Sequence, residues 1–233
     1  MGKSLGDRFD VRNFGVSGAT MLKKGDFSYW ERPEFKQATE FNPHVVIIKL
    51  GTNDTKPQNW KHSAEYAADY EAMIDHFAAL PTKPKIWLCS PAPVYQTRWG
   101  ISEKGVVEGV IPQVQALAKR KGLPIIDLYA ALSGKPEMFP DKVHPNAAGA
   151  KVMAETIEAA SIYKLQTMLT MKTIRVLYFA VAISIAGQAL GQAPKPPVPK
   201  ELPQPKQQTV SKPVPLGGVP KPCLLYTSDA ADE

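Results

Sequence analysis

Val45-Val46-Ile47-Ile48-Lys49-Leu50, "VVIIKL", decides the fold: it is an almost unbroken apolar run, rich in β-branched residues, with Pro43 before it and Gly51 after it. A strand with one wet face alternates apolar and polar side chains. This run is apolar on both faces, so it reads as a strand of a parallel sheet buried between two helical layers.

Two runs further along behave alike. Ile86-Trp87-Leu88-Cys89 stops at Pro91, and Pro124-Ile125-Ile126-Asp127-Leu128 follows a basic stretch that ends at Gly122. Upstream, Asp10 to Val16 is shorter and more polar, as expected of a strand nearer the edge. Between the strands the period changes. Tyr66, Tyr70, Met73, Ile74 and Phe77 recur at helical spacing, with Ser63 placed to cap and Pro81 to stop. Val107, Val110, Ile111, Val114 and Leu117 form a second stripe, in which Pro112 must lie in the first turn or kink the helix. Asn146 can cap a third helix carrying Ala150, Met153, Ala154 and Ile157. Lys119-Arg120-Lys121 reads as the cationic last turn of the second helix. Strand and helix alternate, so the fold class is α/β: a doubly wound, flavodoxin-like parallel sheet with helices on both faces.

The chain of 233 residues carries a net charge of +6, but up to residue 160 it holds 20 basic and 18 acidic residues. A near-neutral domain without a Lys/Arg stripe offers nucleic acid little. The two cysteines, Cys89 and Cys223, make no disulfide framework, and no Cys/His spacing suggests zinc; neither metal nor organic cofactor is expected.

Ligands of such sheets sit beyond the carboxyl ends of the strands. That rule selects the loops "VSGAT" (16–20), "LGTND" (50–54) and "PDKVHPN" (140–146). In the last, Asp141 stands three residues before His144 between two prolines, and a carboxylate on one ring nitrogen prepares the other to take a proton from a hydroxyl. Asn53 either donates to an oxyanion or only makes an Asx-turn with Asp54. Gly18 either relaxes a tight loop or aims its N–H at developing negative charge.

Together, "NFGVSGAT", "KLGTND" and "DKVHPN", in this order after successive strands, resemble the SGNH hydrolases, also called GDSL-type esterases. The resemblance covers about residues 3–160. It implies Gly18 and Asn53 as oxyanion-hole donors, His144 as general base and Asp141 as its orienting acid, in a serine esterase. The "NFGVSGATML" and "KLGTNDTKPQNW" versions look most like members acting on carbohydrate esters, with Trp60 and Trp99 as loop aromatics able to stack on a sugar ring.

The family's first block, Gly-Asp-Ser at the end of the first strand, has no counterpart here. Gly6-Asp7 is followed by Arg8, and neither Ser4 nor Ser17 occupies a strand-to-helix elbow. Met1 is thus expected to be an internal residue of a longer parent. The first strand should be missing, its neighbours unpaired and the core open, and the chain inactive. A non-catalytic carbohydrate-binding relative is the alternative.

Beyond 160 the character changes. Residues 171–192 have the charged, apolar and small-residue order of a signal peptide but are short for a membrane span; 193–222 are proline-rich; 223–233, "CLLYTSDAADE", resemble a translated sequencing adapter. Residues 161–233 are therefore expected to be a disordered tail outside the 1–160 domain, in a bacterial metagenomic fragment; the sequence leaves the compartment open, with periplasm and secretion both compatible with the intact parent. A weaker reading makes the tail a membrane-anchored ligand for aromatic grooves.

Overall fold

The computed structural model describes residues 10–161 and the backbone of 222–226. Strand β1 (Arg12–Asn13) leads through a long loop to helix α1 (Pro33–Glu40) and strand β2 (Val45–Lys49). Helices α2 (Pro57–Trp60) and α3 (Ser63–Ala78) precede β3 (Lys85–Cys89). A π-helical turn (Gly105–Val110) runs into α4 (Ile111–Lys121), followed by β4 (Ile125–Ile126) and α5 (Leu128–Leu132). Helix α6 covers 147–161, and strand β5 (Pro222–Tyr226) completes the sheet.

The expectation for β2 holds in full, since all five of its residues are buried. Val46, Ile48, Ile86 and Leu88 pack in one cluster with Tyr66, Tyr70, Met73 and Phe77 of α3 and Val114 and Leu117 of α4. The alternate residues Val45, Ile47, Trp87 and Cys89 point to the opposite face by the strand's two-residue period and are buried as well. Helices therefore cover both faces, and α6 buries Met153 and Ile157.

The sheet order is β1-β5-β2-β3-β4, and every pairing is parallel. This corrects the expectation of unpaired neighbours. Strand β5 lies between β1 and β2, with Cys223 opposite both Arg12 and Val46, and runs alongside β2 from Val45 to Lys49. Numbered by position in a flavodoxin-like sheet, the strands read 2-1-3-4-5, with β5 in the place of strand one. The five residues of β5 come from the segment expected to lie wholly outside the domain. The signal-like stretch 171–192 lies outside the described residues.

Helix ends follow local chemistry more closely than periodicity. Asn146 Oδ1 accepts from the N–H groups of Ala148 and Gly149 at 3.0 and 3.1 Å, capping α6 as expected. Ser63, by contrast, is the first residue of α3, and His62 in the cap position makes no side-chain capping bond. Pro112 falls where the π-helical turn gives way to α4, so the wider turn precedes the residue that lacks an N–H. Gly122 closes α4 in the left-handed conformation (φ 66°) after its three basic residues, of which Arg120 and Lys121 reach Glu71 and Asp75 on α3.

Candidate active site

Two loops at the carboxyl edge of the sheet are tied together from below. Gly51, leaving β2, adopts φ 129°, and a Cβ there would lie 2.5 Å from Tyr66 Oη. The close approach puts Asn53 and Asp54 at the start of a buried 3₁₀ turn. Asp54 Oδ2 accepts the backbone N–H of Met21 at 2.9 Å, and Oδ1 that of Leu22 at 2.8 Å. Asn53 Nδ2 reaches Ala19 O at 3.4 Å. The "LGTND" and "VSGAT" loops are thus one assembly, with Gly18 at φ 80° next to the tethered residues.

Asp54 was readable only as half of an Asx-turn, yet it is a buried anchor. Burial pushes its carboxyl up to about 7, against the opposing effect of the N–H groups of Leu22 and Met21. Asn59, also buried, serves the same assembly. Its Nδ2 donates to Asn53 O at 3.0 Å and to Asp26 Oδ1 at 2.8 Å, while its Oδ1 accepts from Asp26 N–H at 2.8 Å. No periodicity or motif marks Asn59; its amide suits the place because it donates to Asn53 O and both donates to and accepts from Asp26.

The third loop holds the pair expected from "PDKVHPN". Asp141 Oδ2 lies 2.5 Å from His144 Nδ1. Asp141 Oδ1 accepts the backbone N–H groups of Val143 at 2.9 Å and His144 at 2.7 Å. Burial by itself would raise the Asp141 carboxyl, but the bonds from the backbone and ring of His144 and from Val143 N–H together hold it below its usual range. The loop is fastened to its surroundings by Tyr95 N–H, which donates to Lys142 O at 2.8 Å, and Asn146 N–H, which donates to Met138 O at 2.8 Å.

A hairpin links the two halves. Arg98 and Ile101 exchange both backbone hydrogen bonds, at 3.1 and 2.9 Å, around Trp99 (φ 51°) and Gly100 (φ 80°). Two successive positive φ values make this a type I′ turn, whose first central position favours Asn, Asp or Gly. A tryptophan held there costs about 1–3 kcal/mol. Gly100 abuts Pro57 Cδ, 2.9 Å from where a Cβ would stand, close along the chain to Asn53. On the other side the Trp99 ring lies 5.2 Å from the His144 imidazole, centroid to centroid. The Arg98 guanidinium covers the Trp99 ring at 4.3 Å.

The other expected aromatic has a different role. Trp60 lies in α2, packs on Tyr66 at 5.6 Å and leaves no room for a side chain at Gly109. It is core rather than crevice. Among serines at strand ends, Ser90 after β3 is buried, donates to Asp127 Oδ1 at 2.9 Å and accepts from Tyr129 N–H. Ser17 is exposed in the turn beside Gly18, and Ser4 lies outside the described residues. Among the described residues no group of three or more His, Cys, Asp or Glu side chains could hold a metal ion, and no helix is long and apolar enough to cross a membrane.

Comparison with known proteins shows the family. The profile of the GDSL-like lipase/acylhydrolase family matches residues 1–152. An acetylxylan esterase of Xylanibacter ruminicola is 45% identical over 174 residues, which are 67% of this chain and 36% of that protein. The chain thus spans about a third of the length of this curated relative. A GDSL-like lipase from Bacteroides thetaiotaomicron VPI-5482 shares the fold at a TM-score of 0.50 and 22% identity, over 63% of this chain and 72% of that one. An acetyl xylan esterase structure does so at 0.50 and 22%, over 63% of this chain and 78% of its own.

Proposed function

Because the chain belongs to the GDSL-like lipase/acylhydrolase family, we propose that it carries the base and the oxyanion donors of an esterase that removes acyl groups from carbohydrates. The observation that carries this reading is the bond between His144 Nδ1 and Asp141 Oδ2 at 2.5 Å. A carboxylate there fixes the tautomer, so Nε2 is the nitrogen that takes a proton from an attacking hydroxyl. The hydroxyl oxygen bonds to the ester carbonyl carbon, and the carbonyl oxygen gains negative charge opposite Gly18 N–H and Asn53 Nδ2. Collapse expels the sugar oxygen, which takes the proton from Nε2. Water then repeats the sequence on the acyl-enzyme, with His144 again as base.

The sugar half of the substrate is inferred from the acetylxylan esterase relative. Ser17 lies in an exposed turn, and Ser90 is buried and bonded to Asp127 and Tyr129, so neither is placed as the attacking hydroxyl and the chain is expected to release acetate at background rate. Joining a Gly-Asp-Ser strand-one block to the N-terminus should give acetate release from acetylated xylo-oligosaccharides, abolished by His144→Ala. Retained activity in that variant, or hydrolysis confined to lipid or thioester substrates, overturns the reading.

A further inference from the structure

We propose that Trp99 is the platform on which the sugar ring of the ester stacks, and therefore the residue that selects carbohydrate esters over simple acyl esters. The inference rests on the carbohydrate-esterase reading of the site and deepens it. Three independent properties of Trp99 converge.

The first is position. The ring touches the His144 imidazole, while the next residue, Gly100, is seated against Pro57 on the Asn53 side. A ring stacked on Trp99 therefore presents its oxygens close to the base that must protonate the departing one. The second is exposure. With 53% of its surface open, Trp99 is the most exposed large apolar residue among those described, although Arg98 and His144 both lie against it. A tryptophan kept only to pack against the histidine gains nothing from that open surface. The third is strain. The first central position of a type I′ turn is best filled by Asn, Asp or Gly, and Trp99 stands there at φ 51°. Stability alone favours replacing it, so an interaction with something outside the chain has to account for it.

The chemistry of the occupant follows from the surface. A pyranose carries a flat patch of C–H bonds on one face and hydroxyls around its rim, which matches an aromatic face flanked by a guanidinium donor. An acyl chain has no such flat face.

The test uses the full chain and acetylated xylotriose, with affinity read by calorimetry and stability by urea unfolding. Trp99→Gly should weaken binding about tenfold or more, while its unfolding midpoint stays level or rises because the turn is relieved. Trp99→Phe should keep most of the affinity. Binding by Trp99→Gly equal to that of the unsubstituted chain overturns the inference and leaves the carbohydrate-esterase reading intact. Affinity and stability falling together assigns Trp99 a packing role and overturns it likewise. Failure of the unsubstituted chain to bind acetylated xylotriose at all overturns the underlying reading, and this inference with it.

Discussion

Asp141 holds His144 at two points, its ring Nδ1 at 2.5 Å and its backbone N–H at 2.7 Å, with a different carboxylate oxygen on each. One side chain thus sets both where the imidazole stands and which way it faces. Asp141→Asn keeps an acceptor for the backbone and loses the charge. The pH midpoint of His144 protonation, followed by NMR of the ring nitrogens, should fall, because the imidazolium loses its anionic partner. In a chain to which a Gly-Asp-Ser block is added, ester hydrolysis should fall about 10⁴-fold. An unchanged midpoint contradicts the role given to Asp141.

The same carboxylate gives a stability signature. The Asp141 carboxyl is held below its usual range, so its contribution is present above the ordinary carboxylate range, near pH ~4, and is lost as pH falls through its depressed value. His144→Ala, which removes the ring bond, should shift the acid-unfolding midpoint upward. Equal acid unfolding of the two chains counts against it.

Asp54 should show the opposite slope. Its carboxyl titrates at about 7 in the folded chain because it is buried, against about 4 when unfolded. Between those values the folded state retains a proton that the unfolded state has released. Its contribution is therefore full below about pH 4 and declines as pH rises to about 7. Asp54→Asn removes this decline but sets an N–H donor against a backbone donor at Met21 or Leu22, costing about 1–3 kcal/mol. Urea midpoints at pH 5 and pH 8 should converge in the variant; an undiminished gap between them argues that another group is responsible.

Gly51→Ala tests the seating of Asn53. The added Cβ would stand 2.5 Å from Tyr66 Oη and 2.7 Å from Val110 Cγ1, at a φ of 129° that alanine rarely adopts. Loss of about 1–3 kcal/mol is expected, with displaced NMR signals for the Asn53 side-chain amide. Wild-type stability in this variant means that the β2 exit is looser than described.

Leu224→Pro tests β5. The strand is paired on both sides, so proline removes an N–H from an interior ladder. Faster hydrogen exchange at Val46, Ile47 and Ile48 should follow. Unaltered exchange there shows that β2 does not depend on β5.

Much of the scaffold was legible because local chemistry and fold agreed. "VVIIKL" has no polar face to turn outward, Asn146 has helical N–H groups to accept, and Gly122 follows a basic turn. The Asp141–His144 contact was equally legible, because four residues between prolines leave the two side chains few ways to miss each other. Other features depend on partners distant in sequence. Asp54 meets Met21 and Leu22 more than thirty residues away. Asp127 reads as part of a strand but caps α5, accepting Ala130 N–H at 3.0 Å, because β4 stops at Ile126. Trp60 and Trp99 look alike in sequence; only Tyr66 and Gly109 on one side, and the Trp99-Gly100 turn on the other, separate core from crevice.

The position of β5 bears on how the chain is wired. In a sheet read as 2-1-3-4-5, the strand reached last by this chain occupies the place numbered one. Among the described residues, that place is filled by parallel backbone pairing to β1 on one side and β2 on the other, which needs only five residues of chain. The loops carrying Gly18, Asn53 and His144 are therefore held to a sheet without a gap at its centre.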